Sequence, residues 1–188
     1  MQYGNEKTVA VKSESAEREK LSIVSPVVIN GIPYEFSSRD IFKKFSITIP
    51  TNFEELSQEL AVVKYPYSNR PQIIFSNPDT TVDIFFDCGK KKTSASLKDR
   101  VTTNKIVMEK LYRSYVFSAV KAGSQLGYFD FRSYTFDDDM YNLWFWMDLP
   151  DNTVFGGFSC PVRWQPQWQT PVLQMLQTIA ILPVKSEV

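Results

Sequence analysis

The sequence predicts an α+β fold: an antiparallel β-sheet of about six strands sandwiched between helices, with an N-terminal arm and an edge hairpin. Three observations predict it. Residues 126–136, 141–149 and 153–159 are strand-like runs joined by Asp137-Asp138-Asp139 and Pro150-Asp151-Asn152, the pattern of a meander with short turns. The middle run puts Tyr141, Leu143, Phe145 and Met147 on one side and Trp144 and Trp146 on the other, so both sheet faces need a covering layer. An apolar helix follows, with Thr170 as cap, Pro171 in its first position, and Val172, Leu173, Leu176 and Ile179 toward the core.

The earlier elements follow in chain order. Residues 1–20 are polar and of mixed charge, with only Tyr3, Val9, Ala10 and Val11 as an apolar cluster; they bury too little to offset their ordering entropy and read as a flexible arm. A single domain spans 21–184, and 185–188 are a C-terminal tail. Asn30-Gly31 between two apolar runs is a strong hairpin signal, and Pro33, which has no amide proton, assigns that hairpin to a sheet edge or to a place off the main core. Ser37 to Asp40 read as a polar break. Phe45, Ile47 and Ile49 then alternate with Ser46 and Thr48, the mark of a strand with one buried face.

Pro50 ends that strand, Thr51 or Asn52 can cap a turn, and 53–60 reads as a short helix with acidic residues in its first turn. Short strands are expected at 61–65 and 72–76, with 67–71 as a turn between them, and Asn77-Pro78-Asp79 turns the chain into a strand over 81–88. Gly89 and Lys90-Lys91-Lys92 connect to a long amphipathic helix capped by Ser96, with Leu97, Val101, Met108, Leu111, Tyr112, Tyr115 and Val116 at helical spacing.

Composition narrows the function. The 188 residues are 43% hydrophobic, enough for a sizeable core, and 21 Lys and Arg balance 21 Asp and Glu, so no net field draws the chain to nucleic acid or anionic lipid. The first 20 residues lack the apolar core of a secretory signal and no run reaches the length of a membrane span, so a soluble, cytoplasmic protein is expected. Cys88 and Cys160 lie in different segments and read as buried free thiols in a reducing compartment.

The order of these elements is similar to the Mog1/PsbP-like fold, including the bacterial PsbP/DcrB-like proteins. The local echoes are Phe45-Ser46-Ile47-Thr48-Ile49-Pro50 near the start, and Phe158-Ser159-Cys160 followed by Trp168, Val172, Leu173, Met175 and Leu176 at the end. The resemblance covers roughly residues 41–182 and consists of hydrophobic patterning. It implies an antiparallel sheet between helices and a family whose members mostly bind other macromolecules or serve as accessory subunits. It supplies no catalytic residues to match.

Reactive constellations are sparse. With no histidine in the chain, Ser-His-Asp and Cys-His arrangements are excluded. Asp137-Asp138-Asp139 lacks the spaced ligands and glycine of a calcium loop and reads as a solvated turn; Lys90-Lys91-Lys92 has no interleaved aromatics and reads as an exposed loop. Carboxylate pairs drawn from Asp83, Asp87, Asp130 and Asp148 arise readily by chance in a chain with 21 acidic residues. Gly156-Gly157 does not fit a phosphate loop and marks a bulge or a close helix contact.

Aromatic residues remain, with 14 Phe, 9 Tyr and 4 Trp. The leading expectation is a non-enzymatic binding or accessory protein, of immunity or adaptor type, that meets another protein through Arg163, Trp164 and Trp168 at the entry to the final helix, with Tyr65, Tyr67 and Arg70 as a second cluster. Neither a cofactor nor a metal is expected. A carrier or sensor of a small apolar ligand is the alternative, and a carboxylate-based hydrolase ranks below it.

Overall fold

In a computed structural model the protein is described over residues 27–91, 94–134 and 138–183. The expected arm at 1–20, Lys92, Thr93, Phe136, Asp137 and the tail at 185–188 lie outside the described residues. The element order is β1 (Val27–Ile29), β2 (Ile32–Tyr34), β3 (Phe36–Ile41), β4 (Phe45–Pro50), β5 (Glu54–Glu55), α1 (Gln58–Lys64), β6 (Ile73–Ser76), β7 (Asp83–Lys90) and α2 (Leu97–Leu111). It continues with β8 (Val116–Phe117), β9 (Lys121–Ala122), β10 (Leu126–Tyr134), β11 (Asp139–Asp148), β12 (Asn152–Pro161), α3 (Gln165–Gln177) and β13 (Ala180–Ile181).

The central sheet is antiparallel in the order β5-β6-β7-β12-β11-β10-β8, with β9 also on β10, giving eight strands where the sequence predicted about six. The excess comes from two-residue edge strands, too short to show a period. On one face, Ile84, Phe86, Leu143, Phe145 and Phe158 pack against Trp168, Val172, Met175 and Leu176 of α3 and against Phe45, Ile47 and Ile49 of β4, most of them fully buried. On the other face, Phe129, Phe131 and Trp146 pack under Leu97 and Val101 of α2. A layer therefore lies on each side of the sheet, as the two-faced apolar pattern of β11 requires.

The β1–β2 hairpin turns at Asn30 and Gly31, with φ of 53° and 75°, the left-handed pair that Asn-Gly favours, and it forms its own two-stranded sheet. Residues 37–40 do not break the chain. They belong to β3, which pairs with β4 throughout; their outer side is exposed, so their polar character reflects a wet face.

Two further expectations are corrected. Glu54 and Glu55 pair with β6 as an edge strand, and the helix starts only at Gln58, where the Ser57 hydroxyl accepts from Leu60 N–H at 3.4 Å; residues 61–64, expected as a strand, are its last turns. The long helix ends at Leu111. Tyr115 folds back to stack on Phe131 with centroids 6.0 Å apart, while Leu111 is 68% exposed, so only Leu97 and Val101 of the expected stripe are buried.

Gly156 and Gly157 make neither a bulge nor a helix contact, because β12 pairs in unbroken register with β11 and β7. They pass beneath rings from neighbouring strands: a Cβ on Gly156 would lie 2.3 Å from Phe145, and one on Gly157 would lie 2.4 Å from Phe85. The pair lets large aromatics cross both faces of the central strand.

Candidate functional site

The two expected clusters fare differently. The entry to α3 is a single 3-10 turn, Val162–Trp164, and the helix then begins at Gln165 with Pro166 in its first turn, six residues before the expected start at Pro171. Pro171 consequently sits inside the helix, where it is buried and donates no amide hydrogen. Trp168 thereby joins Val172, Met175 and Leu176 at i, i+4, i+7 and i+8 on the inward face. It is 0% exposed, against Tyr34 at 5.1 Å, Phe158 at 5.3 Å and Phe53 at 5.9 Å between centroids. Trp168 therefore cannot belong to a surface patch. That helical spacing was the signal that would have placed it in the core.

Trp164 is half-buried against the same core. Arg163 is exposed, lies over the Trp164 ring at 5.1 Å and pairs with Asp138, while Arg132 Nε donates to Gln165 Oε1 at 2.8 Å. Both arginines thus have partners within the chain.

The second cluster surrounds α1. Asp83, 3% exposed, has its carboxylate within 2.7 Å of Lys64 Nζ at both oxygens, and it accepts from Tyr65 OH at 2.8 Å and Ser76 Oγ at 2.6 Å. Lys64 also donates to the Thr80 carbonyl. Burial and the Asp83 charge raise the Tyr65 pKa, so the phenol stays a donor. The Asn77-Pro78-Asp79 turn presents these acceptors: Asn77 Oδ1 accepts from Thr81 N–H at 2.8 Å and Val82 N–H at 2.9 Å, fixing the entry to β7. This network clamps the C-terminal end of α1 to the sheet through polar groups.

The rest of α1 is outward. The helix has no buried residue, and Leu60, Val62 and Val63 are 51%, 42% and 80% exposed, with Tyr67 just beyond at 76%. Leu60 and Val63 stand at i and i+3, Tyr67 follows the helix end, and Glu54, Glu55 and Glu59 are exposed around the N-terminal end of the helix. Of the expected cluster, then, Tyr67 is at the surface, Tyr65 points inward and Arg70 is half-buried. Leu60 falls at the end of the helix expected at 53–60, and the exposure of Val62 and Val63 could not be foreseen while 61–65 read as a strand.

The carboxylates considered for hydrolysis do not assemble. Asp83 and Asp87 are four residues apart on β7, about 13 Å along a strand. Asp130 is on the opposite sheet face from Phe129 and Phe131, and burial raises its pKa. Asp148 is held by Arg100 at 2.6 Å and Lys91 at 3.1 Å, which together lower its pKa against the opposing effect of burial. Asp138 pairs with Arg163 and Asp139 opens β11. The described residues contain no group of three or more His, Cys, Asp or Glu side chains placed to hold a metal.

The arrangement of layers has a counterpart among known structures. The solution structure of cyanobacterial PsbP (CyanoP) from Synechocystis sp. PCC 6803 superposes with a TM-score of 0.57 at 6% identity, over 79% of this chain and 93% of that one. The fold is PsbP-like. Two further structures are similar at lower scores: a protein of unknown function from Pseudomonas aeruginosa described as a putative regulator (TM-score 0.49, 11% identity, 80% of this chain and 99% of that one) and a Bacteroides thetaiotaomicron protein (0.46, 14%, 77% and 47%). No protein-family model and no curated protein matches the sequence. At these identities the PsbP-like likeness is one of backbone architecture.

Proposed function

We propose that this PsbP-like domain is a non-enzymatic protein-binding module whose docking surface is the outer face of α1 with Tyr67. The partner is a basic amphipathic segment of another protein. One observation carries this reading: a helix anchored by a polar clamp turns Leu60, Val62 and Val63 to solvent instead of to the core. Exposed apolar side chains favour association because pairing them removes apolar surface from water. The sign of the partner follows from Glu54, Glu55 and Glu59, exposed beside the patch, while Lys64 is neutralised by Asp83. The patch replaces Trp164 and Trp168, one half-buried and the other in the core.

The test is site-specific crosslinking in the native host, with a photoreactive amino acid at Tyr67 and, as control, at the exposed Tyr134. The expected product is one peptide, crosslinked from Tyr67 only, in which Lys or Arg alternates with apolar residues. A synthetic copy should bind the intact chain, and Val63→Asp should weaken it by roughly tenfold or more, equivalent to about 1.4 kcal/mol. Equal labelling from Tyr134, or binding indifferent to Val63→Asp, removes α1 as the docking surface.

A further inference from the structure

A cleft of about 440 Å³ opens between the first two turns of α2 and the sheet. Its size lies within the range of small-molecule sites. Trp146 lines it from the sheet, Thr103 and Asn104 from the helix, and Lys90 from the end of β7. Trp146 is 8% exposed and continues a run of near-parallel rings, 4.9 Å from Phe155 and 5.6 Å from Phe129, each at 29°. A planar ring entering the cleft would add an aromatic contact to that run.

The charge of the cleft has a definite sign. Arg100 lines it, donating to Asp148 at 2.6 Å and to the Thr153 hydroxyl at 3.1 Å, while Lys91 shares Asp148. The Ser96 hydroxyl donates to Asp99 at 2.7 Å, which leaves that carboxylate tied to the helix cap. Three cations, Lys90, Lys91 and Arg100, thus stand against two carboxylates that already have donors. Arg100 Nε is buried and has no acceptor among the described residues, so the guanidinium retains unused donor capacity beside the cleft.

We propose that this cleft is a binding site for a small planar organic anion, an aromatic or heteroaromatic carboxylate, whose ring lies against Trp146 and whose charge is met by Arg100 and Lys90. The site is separate from the α1 surface and does not depend on it. Thr103 stands on the exposed helix rim, so a larger side chain there fills the cleft without entering the core.

The experiment is calorimetric titration of the full chain with 2-naphthoate and with its neutral counterpart 2-naphthamide. The carboxylate should bind with a sub-millimolar Kd, the amide roughly tenfold more weakly, and Lys90→Glu should weaken the carboxylate by a similar factor while leaving the amide unchanged. Thr103→Tyr should abolish both, and Val63→Asp should change neither. Absence of naphthoate binding, equal affinity for acid and amide, or undiminished binding to a folded Thr103→Tyr variant overturns the proposal, whatever the fate of the α1 docking surface.

Discussion

The first and last helices of this chain are held to the same molecule by opposite means. α3 gives Trp168, Pro171, Val172, Met175 and Leu176 to the core, five buried residues in thirteen, and its hold on the sheet is apolar burial. α1 gives none in seven, and its hold is Lys64 and Tyr65 on the buried Asp83. The difference teaches where surface is left for function. A helix that spends its apolar residues on the core has only polar ones to show a partner, whereas one fixed by a buried carboxylate can turn its apolar side outward.

The comparison breaks most visibly at Trp168. Trp168→Ala removes the largest fully buried side chain and leaves a cavity between α3, β12 and the β2 hairpin strand, at a cost of about 3–5 kcal/mol in urea denaturation. A loss under about 1 kcal/mol would mean that α3 does not depend on this contact. Asp83→Asn tests the other helix. It keeps the shape of the side chain but removes the countercharge of Lys64, and because that lysine is 31% exposed in its side chain the expected loss is about 1–3 kcal/mol, below that of a fully buried pair. Hydrogen exchange should then accelerate through Gln58–Lys64 and stay unchanged in Gln165–Gln177.

A pH titration sharpens the contrast. Burial raises the pKa of both Tyr65 and Tyr141, with Asp83 adding to the effect at Tyr65 and Asp130 at Tyr141. The folded pKa exceeds the unfolded one, so this contribution to stability is complete below about pH 10 and declines as pH rises above it, where only the unfolded chain ionises readily. The two rings should separate under substitution. Tyr65→Phe deletes a hydrogen bond to Asp83 and should destabilise at neutral pH as well, whereas Tyr141 OH is buried with no partner among the described residues, so Tyr141→Phe should be neutral or stabilising at pH 7 while removing its share of the alkaline loss.

The same contrast marks what could be read from the sequence. Strand β4 was legible because its apolar residues alternate, β7, β11 and β12 because apolar runs of strand length end at turn residues, and the Ser96 hydroxyl, expected as a cap, does accept from Asp99 N–H at 3.1 Å. Elements whose state depends on distant partners were not. Glu54 and Glu55 are a strand only because β6 lies beside them, and Pro171, a local signal for a helix start, is overridden by the burial of Trp168 one turn earlier. The exposure of Tyr67 matches the expectation, whereas the outward turn of Val62 and Val63 could not be read, because β-branched residues at the end of a seven-residue helix resemble a strand and the clamp that holds the helix joins residues 19 apart in sequence.

The smallest expected effect bears most directly on function. Val63 is 80% exposed, so Val63→Ser removes an apolar side chain that makes little contact with the folded chain, and its change in stability should stay within about 0.5 kcal/mol. Thermal unfolding of the parent chain and the variant at one protein concentration checks this. A loss well above 1 kcal/mol would place Val63 among the contacts that hold α1 and erase the distinction between the two helices. A null effect on folding, joined to weakened binding of the proposed partner, is the combination expected of an outward apolar face: a side chain that contributes little to the isolated chain and acts only when covered.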